Sequence, residues 1–236
     1  MIRPFSGIGP AVFLICGAVI GAGAKRPRRS VAVHAMVLAA SFALALVSAV
    51  PATASSVTSV TDPVGDASIH PQGILVPGYQ DIVRASVTGG DGSFVFVMDL
   101  AAPVPAVPTL QPEVKLLDWS FRLNTDVTTA PRGFPWAPGD SIHGAEYVVF
   151  IVYDGTSFSG ILIDRTPTLG GGQPVITPIS FAIRGSEITA SVPEGLIGTP
   201  SSFLWRATTD LWVAQLGTEA FWQPDSAPDT GSVAWP

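Results

Sequence analysis

Residues 55–236 read as an all-β domain, an antiparallel β-sandwich with jelly-roll or immunoglobulin-like layers. Three observations predict this. Short runs alternate apolar and polar residues with period two. Gly, Asp and Pro clusters separate the runs at hairpin spacing. No run sustains a 3.6-residue period.

The elements follow in order. Residues 55–60 read as a linker or an edge strand. Residues 81–88 (DIVRASVT) form a first strand, and Gly89-Gly90-Asp91-Gly92 is a turn that adopts positive φ freely. Residues 93–101 return with Phe94, Phe96, Met98 and Leu100 on one face. Four prolines make 102–112 an extended loop. Residues 116–124 alternate most clearly: Leu117, Trp119, Phe121 and Leu123 point one way, Asp118, Ser120 and Arg122 the other. A Pro- and Gly-rich loop spans 125–144. Residues 145–153 (AEYVVFIVY) are apolar on both faces, which fits a central strand. Asp154-Gly155 turns the chain into 157–164. Residues 179–184 and 187–192 form a hairpin across Gly185-Ser186, and 193–198 a short helical turn. A late strand covers 202–208, 211–222 adds another, and 223–236 is a polar, proline-containing tail.

Upstream, residues 1–54 form a leader with its core at 25–54. The basic cluster Lys25-Arg26-Pro27-Arg28-Arg29 runs into apolar residues 31–50, and Pro51-Ala52-Thr53-Ala54 offers small residues where a signal peptidase reads. This predicts a secreted or extracytoplasmic protein. A second apolar stretch, 8–24, reads either as a first membrane segment paired with 31–50 or as translation upstream of the true start. The membrane is engaged only through this leader, if it stays uncleaved. The single cysteine, Cys16, lies there, so 55–236 has no disulfide.

Residues 55–236 hold all 18 acids but only seven of the 12 basic residues, a net charge of −11. That excludes nucleic acid and anionic membrane surfaces as partners and suits divalent cations.

The phrase Asp62-Pro63-Val64-Gly65-Asp66 is followed by Asp81-Ile82, then by an aromatic strand ending Leu123-Asn124-Thr125-Asp126, and then by Gly144-Ala145-Glu146-Tyr147. In that order the phrases resemble bacterial secreted DOMON-like domains, related to family 9 carbohydrate-binding modules. The likeness spans most of residues 60–210. It implies a ligand-binding β-sandwich, with sugars bound by some members and haem by others. One departure is Asn124, an amide where the family's pattern has a carboxylate. The sugar-binding tryptophan pair and the axial haem ligands are not carried over.

Asp62, Asp66 and Asp81 cluster around the opening turn, and Asp225 and Asp229 repeat the theme near the end. Oxygen ligands on turns are what Ca²⁺ requires, since it takes six to eight of them. These five are the candidate ligands of a structural calcium; the alternative is that each caps its own turn. Asp62, Asp66 and Asp81 share a site only if 67–80 folds back. Trp136, Trp212 and Trp222 are the candidate ligand-stacking aromatics, while Trp119 and Trp205 belong to the core.

No catalytic motif is present: there is no G-x-S-x-G, H-E-x-x-H or phosphate loop. His70 and His143 are far apart in sequence, no spacing marks a glycosidase pair, and Glu146 reads as a support for its neighbouring loop. The expected function is non-catalytic recognition of carbohydrate or an extracellular protein. The rivals are a tethered surface protein working through protein contacts, and a hydrolase with an unrecognised acid pair.

Overall fold

A computed structural model describes residues 55–68, 74–126, 145–215 and 218–236. The leader 1–54, Trp136, His70 and His143 lie outside these residues.

Among the described residues twelve strands occur in chain order: β1 (Ser56–Thr61), β2 (Ile82–Gly90), β3 (Ser93–Leu100), β4 (Val114–Asn124), β5 (Tyr147–Tyr153), β6 (Phe158–Asp164), β7 (Val175–Pro178), β8 (Ser180–Arg184), β9 (Glu187–Pro193), β10 (Phe203–Gln215), β11 (Thr218–Ala227) and β12 (Val233–Trp235). One sheet runs β1-β2-β3-β9-β8; the other runs β11-β10-β4-β5-β6-β7, with β12 also paired to β10. Every pairing is antiparallel. The chain changes sheet between β3 and β4, between β7 and β8, and between β9 and β10.

The period-two faces set this arrangement. Phe94, Phe96 and Met98 of β3 share one core with Trp119 and Phe121 of β4 and Trp205 of β10. Phe96 lies 5.2 Å from Phe121, and Phe121 6.0 Å from Trp205. The two indoles stay buried because each N–H donates a hydrogen bond, Trp119 to the Tyr79 carbonyl at 2.7 Å and Trp205 to Thr58 Oγ1 at 3.0 Å. The β2–β3 hairpin turns on Asp91 and Gly92, both at positive φ, as a two-residue loop between right-twisted strands demands.

Several boundaries differ from the sequence reading. Residues 211–222 are not one strand. β10 continues to Gln215 and β11 returns from Thr218, so the segment straddles a hairpin. The apolar face of β10 outweighs the polar step at Thr208-Thr209-Asp210, because those three residues are themselves fully buried. The tail is not a loop throughout: β11 runs to Ala227, and Trp235 on β12 stacks against Phe203 at 5.2 Å. Four-residue β7 is absent from the sequence reading, since Pro174 before it and Pro178 at its end disguise an edge strand. Residues 55–60 resolve as the edge strand β1.

Candidate metal centre

The centre lies where β1 ends and β11 ends. Asp62 follows β1 directly, and its N–H still donates to the Val83 carbonyl at 3.1 Å, extending the ladder. The chain then turns through Pro63-Val64-Gly65, with Gly65 at φ +86°, a left-handed conformation that favours glycine. The Gly65 N–H donates to Asp81 Oδ2 at 2.7 Å. Three residues on, the Ser68 N–H donates to the Pro224 carbonyl at 2.9 Å. These bonds lay the opening turn against the last residues of β11.

β11 supplies Asp225, which is buried. Its Oδ2 accepts the Ile82 N–H at 2.6 Å and its Oδ1 the Ser226 N–H at 2.7 Å, so one carboxylate braces both the start of β2 and its own strand. Arg206 fixes the segment beyond. Its guanidinium donates to Ser226 Oγ at 2.5 Å, to the Pro228 carbonyl at 3.0 Å and to the Asp229 carbonyl at 2.6 Å.

Within this frame Asp62, Asp66, Asp225 and Asp229 each offer a carboxylate oxygen, and the four atoms lie within 4.8 Å of one another. Ca²⁺–oxygen bonds of about 2.3–2.6 Å place opposite ligands about 4.6–5.2 Å apart, so the quartet fits the coordination sphere of one calcium. Both Asp225 oxygens already accept an N–H, yet each carboxylate oxygen retains acceptor capacity.

Electrostatics point the same way. Burial, then the charges of Asp225, Asp229 and Asp66, push the half-buried Asp62 carboxyl up to about 7. Burial also raises Asp225 to about 6; its two backbone hydrogen bonds oppose the rise, and Asp66 and Asp81 add to it. Asp62 Oδ2 and Asp81 Oδ1 are buried without a hydrogen-bond donor. Four mutually repelling carboxylates are what a bound dication relieves.

Of the five acids expected at a metal, the structure brings four together. The fifth, Asp81, stands outside that quartet and positions the loop through Gly65. The opening turn and the residue before β2 therefore meet, through the Gly65 N–H and Asp81 Oδ2.

The tryptophans separate. Trp212 projects from the outer face of β10, edge-on to Phe221 of β11 at 5.4 Å, beside a hollow of about 250 Å³ lined by Lys115, Leu116 and Val213. Trp222, one register position along, packs against the core instead. The two sit on opposite faces and form no common platform. Glu146 is buried and accepts hydrogen bonds from the Thr125 N–H at 2.7 Å and the Asp126 N–H at 3.2 Å, holding the chain that leaves β4.

No protein-family model, curated protein or solved structure matches this chain. The site therefore stands on its own geometry. Among the described residues no helix is long and apolar enough to cross a membrane.

The sequence reading missed a second polar assembly. Asp118, Ser120 and Arg122 of β4 do lie on the face opposite the core, but they are buried there with Thr208 and Asp210 of β10. The signal available was Asp210 itself, an acid between the apolar runs 203–205 and 211–213 of one strand.

Proposed function

We propose that this protein is a secreted, non-catalytic ligand-binding β-sandwich of DOMON-like layering, with a structural Ca²⁺ held by Asp62, Asp66, Asp225 and Asp229. One observation carries the metal reading. Four carboxylates from the two ends of residues 55–236 converge within 4.8 Å, on β11 and on turns tied down by backbone hydrogen bonds. Supporting it, the quartet matches the span of a calcium sphere, and the Asp62 and Asp225 carboxyls are raised first by burial and then by neighbouring acids, a penalty on their charge that a cation offsets. The site's task is structural: it clamps the edge strand β1 to β11, in a domain with no disulfide to do so.

The ligand reading rests on the resemblance of the 62–66, 81–82, 124–126 and 144–147 phrases to sugar-binding relatives, and it places carbohydrate first. Trp212 beside Phe221 is the aromatic surface available to a sugar face.

Calorimetric titration of metal-free protein with CaCl₂ and with MgCl₂ tests the metal. The expected result is one calcium per chain, with Mg²⁺ bound more weakly because octahedral coordination near 2.0–2.1 Å contracts the quartet. No heat with either ion sinks the reading. Pull-down on insoluble polysaccharides tests the ligand; retention that Trp212→Ala abolishes supports it, and no retention on any polysaccharide counts against it.

A further inference from the structure

Asp118 and Asp210 are direct cross-strand partners on β4 and β10, on the face opposite the aromatic core. They are 1% and 0% exposed. Asp210 is well supplied: Thr208 Oγ1 donates to its Oδ2 at 3.0 Å, Ser120 Oγ lies 3.5 Å from the same oxygen, and Arg122 Nη2 reaches both oxygens at 3.3 and 3.4 Å. Asp118 is not. Neither of its oxygens meets a donor. A buried carboxylate with no donor on either oxygen, opposite a second carboxylate, does not keep its charge; the proton that resolves the conflict is its own.

We propose that Asp118 and Asp210 are a proton-sharing pair in which Asp118 is the neutral acid and Asp210 the carboxylate paired with Arg122, so that loss of this proton in alkaline solution unlocks the β4–β10 seam.

Among the described residues, Arg122 is the cation that reaches the pair, with buried Arg165 and Glu146 beyond it. Among the described residues, β4 contributes Arg122 to this face and β10 contributes Arg206, which is committed to Ser226, Pro228 and Asp229. β5 places uncharged Val152, Phe150 and Val148 opposite Asp118, Ser120 and Arg122; the buried Glu146 just before β5 and the buried Arg165 just after β6 are the charges at the Arg122 end. β11 pairs uncharged Ser226 with Thr208 and Phe221 with Trp212, and its Glu219 stands at the register position opposite Ala214, four residues beyond Asp210. Burial, then the Asp210 charge, holds Asp118 well above the ordinary carboxylate range, while Arg122 pulls the other way. Burial raises Asp210 too, but Arg122 and Thr208 oppose it. The pair is thus asymmetric, and Asp210 is the partner that ionises.

The signs follow from linkage. The folded protein keeps a proton that the unfolded chain releases above about pH 4, so stability falls as pH rises until the pair itself ionises. Within that window the unfolding equilibrium constant rises about tenfold per pH unit from this proton alone.

Urea unfolding of the full chain at a series of pH values from 5 to 8 is the test, comparing wild type with Asp118→Asn. The expected variant folds and shows a pH slope smaller by one proton. Equal slopes overturn the proposal. A wild-type infrared spectrum at about pH 9 in excess CaCl₂, where Asp62 and Asp225 are ionised, guards against a variant that fails to fold: a protonated-carboxyl stretch supports the assignment, and its absence overturns it. Asp210→Asn separates the roles, because it strips Arg122 of its carboxylate; if it proves milder than Asp118→Asn, the proton has been placed on the wrong partner.

Discussion

Asp66→Asn removes one charge from the quartet while leaving shape almost unchanged. Asp66 is exposed, and its neighbours' oxygens lie within 4.8 Å. At that distance two unit charges repel by about 1 kcal/mol at the dielectric of water, and salt screens part of it. With three acidic neighbours, one of them partly protonated near neutral pH, the metal-free protein gains about 1–2 kcal/mol from the substitution. For a domain of this size each kcal/mol moves the midpoint by about 2–4 °C. The metal-free variant therefore melts a few degrees above wild type.

Calcium reverses the order. At about 1,000 times the dissociation constant, a cation bound only by the folded state adds about 4.1 kcal/mol. If losing a ligand weakens binding about a hundredfold, the variant gains about 1.4 kcal/mol by the same relation. The shortfall of about 2.7 kcal/mol exceeds the head start, and wild type melts higher. Differential scanning calorimetry in EDTA and in excess CaCl₂ reads both orders. A variant that melts below wild type in EDTA, or that gains as much from calcium as wild type does, refutes the reasoning: Asp66 would then be a turn residue and not a ligand.

Three further outcomes are expected. Asp225→Ala leaves the buried Ile82 and Ser226 N–H groups without an acceptor, so it loses about 2–4 kcal/mol in EDTA as well as in calcium, read as the urea midpoint. In EDTA, stability falls as pH rises from about 4 to about 7, because folded Asp62 and Asp225 hold protons up to about 7 and about 6 that the unfolded chain has already released; calcium flattens this fall, and a profile rising over that range would contradict the sign. Gly89→Ala drives a methyl into the rings of Trp235 and Phe94, costing about 1–3 kcal/mol and displacing β12, which a change in tryptophan fluorescence reports.

What was legible in the sequence was what period two encodes. Leu117, Trp119, Phe121 and Leu123 announce a core face by their spacing, and the structure buries all four. The same rule misleads on the opposite face. Alternation says that Asp118, Ser120 and Arg122 leave the core, but leaving the core is not reaching water, and a strand cannot encode what its partner strand presents. That required Thr208 and Asp210, some 90 residues away, in a stretch whose polarity looked like a strand end. Conversely, Asp62 and Asp66 attract attention as neighbours in sequence, whereas the quartet depends on Asp225 and Asp229 arriving from a segment read as tail. Only register brings them together: β10 turns back as β11, β11 carries Asp225 onto the Ile82 N–H, and Arg206 holds Asp229 in place. Trp212 and Trp222 make the same point, since ten residues across a hairpin put one indole outside and the other against the core. Local pattern chooses the face of a strand; pairing decides whether polar groups on that face meet water, one another or a metal.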